Sequence, residues 1–311
     1  MSAYAQKARV SLIVLVVLAL GGSAHALRLP GAPSCPVFPA SNPWNRRVDR
    51  LSVAEDSDAI VASIGLDDHV HADFGSGLWN GGPIGIPITV VSRQTRTRGV
   101  PVRFEYADES DPGPYPIPAN VKFEGGRHSD GDRHAIIVDR DRCRLYELFA
   151  LYPASKGVWR AGSGAIWNLR SNRLRPAGWT SADAAGLPIF PGLARYDEVA
   201  RGRIDHALRV TVRRTRRAYV YPARHYASDA TDRTLPPMGL RLRLKASFDT
   251  RPFPRQARIV LEALKRYGMF VSDNGSDWYI SGAPDPRWSN EQLHTLHRVT
   301  GSAFEVVDTG R

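Results

Sequence analysis

The chain has 311 residues and carries 42 Lys and Arg against 31 Asp and Glu, which gives a formal net charge of +11. That length suits one large domain or two small ones. Hydrophobic residues make up 42% of the chain, and it contains 27 Gly and 23 Pro. This composition excludes a disordered chain, which lacks such an apolar fraction, and a coiled coil, which does not tolerate so many helix breakers.

Residues 1–26 have the pattern of a secretory signal peptide. Lys7 and Arg9 precede an apolar run at 10–20, and the segment Ala24-His25-Ala26 fits the small-x-small cleavage pattern. The apolar run is shorter than the roughly 20 residues that span a bilayer. We therefore expect cleavage after Ala26, a secreted or periplasmic protein of residues 27–311 that forms a single domain, and no stable membrane anchor.

The two cysteines, Cys35 and Cys143, are too few for a disulfide-dense scaffold or a thiolate zinc site. In an exported protein the environment is oxidising, which favours a disulfide between them. Such a bond would tie the N-terminal tail to the middle of the chain.

Beyond the signal peptide the pattern predicts short strands, three helices and one long loop, separated by Gly, Pro and Asn turns. The predicted elements, in chain order, are a helix at 52–64, strands at 84–91 and 100–106, a Pro/Gly-rich surface loop at 108–131, strands at 134–138, 144–148, 204–212, 218–221 and 240–246, a helix at 255–267, strands at 268–273 and 277–281, and a helix at 289–297.

Three pairs of these strands are predicted to form hairpins. The first pair is 134–138 with 144–148, and the second is 204–212 with 218–221 across the basic turn 213–217. The third is 268–273 with 277–281 around Asn274-Gly275, a strong short-range hairpin signal. The sequence therefore predicts a mainly β fold, an antiparallel β-sandwich-like structure of jelly-roll type with a few peripheral helices.

Six short sequence motifs are distributed over much of the chain after the signal peptide. They are HADFG at 71–75, YADESDPGPYP at 106–116, GDRH at 131–134, AGSGAIW at 161–167, GWTSADAAG at 178–186 and DNGSDWY at 273–279. In these motifs the chain resembles a group of secreted bacterial and fungal proteins with no assigned activity. The resemblance implies secretion and assigns neither a fold nor a site.

The second predicted hairpin would bring polar residues together at its open end. Asp205 and His206 begin one arm, and Arg224 and His225 follow the other. His and Asp side chains beside an Arg can carry acid–base chemistry on a sugar, either hydrolysis or proton abstraction next to a uronate. The alternative is a surface hairpin with charged ends.

Two further candidates for proton transfer belong to the first predicted hairpin. His134 follows Asp132, which could orient its imidazole, but a structural His at a strand start is the alternative. Glu147 and Asp139 lie on opposite arms and could form the carboxylate pair of a glycosidase. Neighbouring arginines make a surface ion-pair cluster the alternative.

The segment 161–186 has the composition of a sugar-binding site. Tryptophan rings stack on sugar C–H faces while polar groups bind hydroxyls. The alternative is that the tryptophans are core residues. The candidate substrate-binding residues, with Arg224 from the hairpin, are Trp167, Asn168, Arg170, Trp179 and Asp183.

His69, His71 and Asp73 alternate along the chain, so on a strand all three would share one face and could bind a divalent metal. In a loop the same side chains would only be solvated, and we expect no cofactor.

The sequence hypothesis is an exported polysaccharide-active enzyme, a glycoside hydrolase using Asp, Glu and His. The alternatives are a lyase on uronate-containing glycans and a non-catalytic glycan- or envelope-binding protein. The basic charge favours polysaccharides, acidic ones included, over nucleic acid, and the oligomeric state does not follow from the sequence.

Overall fold

The computed structural model describes residues 28–95 and 98–310, so the predicted signal peptide lies outside the described residues. Strands contain 26% of the residues and helices 17%, which confirms the prediction of a mainly β fold. No helix in the two described ranges is both long enough and apolar enough to cross a membrane.

The strands are short and many. In chain order they are β1 (Arg28–Leu29), β2 (Ala32–Pro36), β3 (His71–Asp73), β4 (Leu78–Trp79), β5 (Gly82–Pro83), β6 (Ile88–Val91), β7 (Val102–Phe104), β8 (Ala135–Asp139), β9 (Arg144–Phe149), β10 (Tyr152–Pro153), β11 (Trp159–Ala161), β12 (Ser163–Asn168), β13 (Leu208–Val212), β14 (Arg241–Leu244), β15 (Met269–Asn274), β16 (Tyr279–Ser281) and β17 (Phe304–Val306).

The helices are α1 (Ser57–Ile64), α2 (Tyr196–Ala200), α3 (Arg255–Arg266) and α4 (Asn290–His294). α3 confirms the helix predicted at 255–267, whereas α1 begins later than predicted. α4 is shorter than predicted and continues as a 3-10 turn over Thr295–Arg298.

The largest sheet has six strands in the order β17-β14-β15-β13-β16-β3. β13 lies between β15, to which it is parallel, and β16, to which it is antiparallel. β3 pairs in parallel with β16 and forms one edge of the sheet.

A second sheet has four strands in the order β12-β9-β8-β6, and β6 and β8 run parallel. A three-stranded sheet, β10-β11-β7, and the two-strand pairs β1–β2 and β4–β5 complete the β structure. The larger sheets therefore mix parallel and antiparallel pairs, which differs from the antiparallel prediction, and a jelly roll is not confirmed. Alternating side chains identify a strand but do not show whether it runs parallel or antiparallel to its neighbour. Parallel neighbours are joined by long crossover connections, so they are not recognised as a local hairpin.

The main core lies between the six-stranded sheet and its helices. α3 presents an apolar stripe that includes the fully buried Val260 and Leu264, because these residues recur at helical spacing. Gly268 ends the helix region with a φ of +65°, and a Cβ there would lie 2.1 Å from the Leu242 carbonyl oxygen. Only glycine fits that position.

A second core surrounds the Cys35–Cys143 disulfide, which the structure confirms. The bond joins residues 108 positions apart and links β2 to the turn before β9. It therefore ties the N-terminal segment to the four-stranded sheet, as predicted.

The first predicted hairpin is confirmed, since β8 and β9 pair antiparallel from Ala135–Leu148 to Asp139–Arg144. The second is wrong, because β13 pairs with β15 and β16, and Tyr219 bridges to Met238. The third is also wrong, because β13 inserts between β15 and β16. Turn residues indicate only a local bend, whereas β13 pairs with strands that lie far from it in the sequence.

Two other predictions about exposure need correction. The Pro/Gly-rich segment 108–131 does not stay at the surface, because Tyr115 and Ile117 are buried in a third core cluster. β14 is buried on both faces, since Arg241 and Arg243 donate to backbone carbonyls inside the protein. Hydrogen bonds to carbonyl oxygens allow these arginines to be buried.

Candidate active site

Polar side chains cover one face of the six-stranded sheet at β3, β16 and β13. On these strands polar residues alternate with apolar ones, so the polar residues share a face while Ile280 and Val210 enter the core. The strand register places His71 beside Tyr279, which lies beside Thr211, and Asp73 beside Ser281. This face of the sheet therefore carries titratable and hydrogen-bonding side chains in place of the apolar residues that would pack against a core.

Cavity A, of about 560 Å³, opens above the β3 and β16 end of this face. Its lining includes His71, Asp73, Trp79, Glu124, Tyr279, His294 and His297. Trp79 belongs to the β4–β5 hairpin and is 73% exposed, so its ring is available to a ligand. This hairpin packs closely on the chain after Glu124, because a Cβ on Gly82 would meet the Gly125 carbonyl oxygen.

Asp73 and Glu124 line cavity A with pKa values displaced in opposite directions. The Asp73 side chain is exposed to solvent in the cavity, and the protein atoms that surround the cavity raise the pKa of its carboxyl group, with a further contribution from the negative charge of Glu124. Burial opposes ionisation of Glu124, but the charge and hydrogen bonds of His134 and the charge of Arg209 lower its pKa below the ordinary value. The cavity therefore holds one carboxyl that keeps its proton more readily and one that loses it more readily.

His134 directly precedes β8 and holds Glu124 in its ionised form. Its Nδ1 contacts Glu124 Oε2 at 2.5 Å, and its Nε2 donates to the Ala182 carbonyl oxygen at 3.0 Å. Burial disfavours the imidazolium, but the neighbouring Glu124 raises the pKa of His134 to about 9. Because both ring nitrogens face acceptors, His134 is a cation that positions Glu124 and lacks the free lone pair of a general base.

Arg209 on β13 lies on the same face and connects several carboxylates there. It donates to Asp183 through two nitrogens, each at 2.9 Å, and to Asp273 at 3.0 Å. A fourth hydrogen bond runs from Arg209 Nη1 to Ser281 Oγ at 2.6 Å, so Arg209 has three protein partners. Arg209 also interacts electrostatically with Glu124 and Asp73, so one buried cation influences carboxylates of both cavities described here.

Cavity B, of about 330 Å³, has a lining that includes Tyr106, Glu109, Asp183, His225 and Asp273. Burial raises the pKa of Asp273 to about 7, with a further contribution from the charge of Asp183. His225 donates from Nδ1 to the Ala184 carbonyl oxygen at 2.8 Å. Among the described residues, no Lys or Arg belongs to the lining of either cavity.

The structure does not bring together the predicted catalytic residues of the second hairpin. Asp205 accepts a hydrogen bond from Arg203 Nε at 2.6 Å at the surface. His206 is fully buried between the Ala207 carbonyl oxygen and Glu198. His225 lies apart from them, in cavity B.

The predicted carboxylate pair of the first hairpin does not form either. Glu147 lies opposite Ile136, and Asp139 lies opposite Arg144. Glu147 is fully buried and accepts hydrogen bonds from the backbone N–H groups of Ile189 and Phe190 at 3.0 and 2.8 Å. It holds that segment in place and lines neither cavity.

The predicted substrate-binding residues are dispersed. Trp167 is buried against Phe38, which agrees with the core alternative. Asn168 and Arg170 are exposed at the end of β12, outside both cavities. Asp183 lines cavity B, but its carboxylate already forms an ion pair with Arg209.

Trp179 and Arg224 stabilise the chain near cavity B. Trp179 lies under the Arg175 guanidinium, 5.4 Å from the ring centre. Arg224 donates from Nε to the Arg175 carbonyl oxygen at 3.0 Å. Both side chains contact protein groups and are absent from the lining of cavity B.

The weak metal candidate is partly brought together. His71 and Asp73 share one face of β3 and both line cavity A. His69 lies before β3, where it bridges to Thr300, and it is not in the lining.

Sequence reasoning missed Glu124, Arg209, Asp273, Tyr279 and Trp79. The alternation in Arg209–Thr211 and Tyr279–Ser281 was a usable signal, since it repeats the pattern of His71 and Asp73. Nothing local marked Glu124, which lies in the long loop. Comparison with protein families, curated proteins and solved structures gave no match.

Proposed function

We propose that the protein is an exported glycoside hydrolase that works in cavity A. The observation that carries the proposal is the pair Asp73 and Glu124, two carboxyl groups in one cavity whose pKa values are moved apart. Glycosidases need this division, since one carboxyl must donate a proton while the other is ionised.

In the proposed reaction Asp73 donates its proton to the leaving glycosidic oxygen as the bond to the anomeric carbon breaks. Glu124 either attacks that carbon or removes a proton from the water that does. His134 and Arg209 keep Glu124 ionised, and Trp79 and Tyr279 offer aromatic faces to the sugar. The residues 1–26 pattern and the Cys35–Cys143 bond support export, to the periplasm or outside the cell.

The charge of the cavities favours neutral or cationic glycans over acidic ones. A lyase needs a cation next to the uronate carboxylate, and the linings contain carboxylates without Lys or Arg among the described residues. Arg209 does not supply this cation, because three protein groups already bind it. The lyase is therefore the weaker alternative.

The test is a screen of the purified protein against neutral and acidic polysaccharides, with both reducing ends and ultraviolet absorbance measured. We expect reducing ends from a neutral or amino-sugar polymer without the absorbance of an unsaturated uronide. Glu124→Gln and Asp73→Asn should each lower kcat by about 10²- to 10⁴-fold. Asp205→Asn is the matched control, because that carboxylate pairs with Arg203 outside both cavities.

Three outcomes would overturn the proposal. Unsaturated products would indicate a lyase, and tight binding without any product would indicate a glycan-binding protein. Full activity in both Glu124→Gln and Asp73→Asn would locate the chemistry elsewhere.

A further inference from the structure

Four of the nine histidines lie close together, and three of them, His71, His294 and His297, line cavity A. His71 Nδ1 and His297 Nε2 are 2.8 Å apart, and the His71 ring stacks on Tyr279 with a centroid distance of 4.2 Å. His294 lies beside His297, with ring centroids 4.5 Å apart, and His69 is close enough to influence its charge. Such crowding is unfavourable for protonated imidazoles and favourable for a bound cation.

The His71–His297 pair has nearly the spacing that a metal ion requires. The two facing nitrogens share one hydrogen in a hydrogen bond, and an ion bound between them would replace that hydrogen. Two nitrogens bound to one tetrahedral Zn²⁺ lie about 3.3 Å apart, since each Zn–N bond is about 2.0–2.1 Å. The pair needs to open by only a few tenths of an ångström.

We propose that His71 Nδ1 and His297 Nε2 bind one divalent transition-metal ion of the Zn²⁺ class. His294 is the third ligand, because it is exposed, lines the same cavity and reaches the ion by rotating its side chain. A water molecule or a substrate oxygen takes the fourth position, which faces cavity A. An ion there would sit next to Asp73 and could orient a sugar hydroxyl.

A competing set of donors lies nearby. Among the described residues, Glu124, Asp132 and His134 have donor atoms that all lie within 4.8 Å of one another. Both nitrogens of His134 already face acceptors, and a metal would have to displace the Nδ1 proton that His134 donates to Glu124. We therefore place the ion at His71 and His297.

The test uses the chelator-treated full chain and measures Zn²⁺ binding by calorimetry, with Co²⁺ absorption reporting nitrogen ligation. We expect one ion per chain, with binding weakened at least tenfold in His71→Ala and in His297→Ala and to a smaller extent in His294→Ala. His128→Ala is the control, because His128 is exposed and outside the cavity. Thermal unfolding without metal establishes that each variant is folded.

Binding that survives in the double variant His71→Ala/His297→Ala would overturn the proposal. Loss of binding in Glu124→Gln but not in His71→Ala or His297→Ala would move the ion to the competing set. Absence of saturable binding to the wild-type protein would mean that the site does not exist. Since these measurements need no substrate, their failure is distinct from failure of the proposed hydrolase activity.

Discussion

Asp183 accepts hydrogen bonds from two nitrogens of Arg209, Nε to Oδ2 and Nη2 to Oδ1, both at 2.9 Å. Both side chains are almost completely buried, and Arg209 also reaches Asp273. The pair therefore fixes the end of β13 to the segment that lines cavity B. It also supplies the buried positive charge that acts on Glu124.

Replacing Arg209 with Met should lower the free energy of unfolding by about 3–5 kcal/mol, because Asp183 would remain buried without its cation. Urea denaturation measures this. Arg203→Met, at an exposed pair with Asp205, should change stability by less than about 1 kcal/mol. A loss in Arg209→Met as small as that of the control would contradict the structural role of the network.

Stability should fall as the pH rises through the folded-state pKa of His134, about 9. An unfolded His releases its proton near pH 6.5, so the stabilisation is complete below that pH and is lost as the pH rises through 9. The contribution is about 3 kcal/mol. Urea unfolding at pH 6 and pH 9.5 measures it as a difference between the wild-type protein and His134→Gln.

The exposed His128→Gln should keep the wild-type pH dependence. In an NMR titration the His134 ring should retain both protons until the pH approaches 9. If His134→Gln shows the same loss of stability with pH as the wild-type protein, the buried ion pair with Glu124 is not its source.

Trp79→Ala should raise KM about two- to tenfold on the polysaccharide identified in the screen and leave kcat unchanged. The ring is 73% exposed at cavity A, so its loss would remove the proposed sugar contact without destabilising the core. Leu78 is similarly exposed, at 69%, but does not line the cavity. Steady-state kinetics of Leu78→Ala should therefore match the wild-type protein, and an equal rise in KM would argue against a specific role for Trp79.

Removing the disulfide with Cys35→Ser/Cys143→Ser should lower the free energy of unfolding by about 4–5 kcal/mol, because the bond closes a loop of about a hundred residues. Urea unfolding under non-reducing conditions gives the value. The reduced wild-type protein serves as the control and should behave like the double variant. A change below about 1 kcal/mol in both would mean that the segment around Cys35 is held by packing alone.

Elements defined by local pattern were predictable. α3 has an apolar stripe and a glycine stop, and the β8–β9 hairpin has adjacent arms joined by a short turn. The hairpins expected around 213–217 and Asn274-Gly275 failed because β13 takes partners from far along the chain. Turn residues identify a bend but carry no information on which strand lies beside the next one.

The candidate site was only partly predictable for a similar reason. His71 and Asp73 share a face by simple alternation, so their proximity followed from the sequence. The approach of Glu124 depends on how the long loop packs against a different sheet. The aromatic-polar segment around Trp167 was misleading because its tryptophan fills the core beside Phe38.

β3 has one neighbour in its sheet, the strand β16, which lies about two hundred residues later in the chain. During synthesis Asp73 and His71 therefore remain without their sheet partner until the chain has been extended past Ser281. The two carboxyl groups of cavity A cannot be held together in a chain that stops before Tyr279. A chain truncated before β16 thus lacks the assembled cavity, and the proposed hydrolytic activity requires β16 to have joined the sheet.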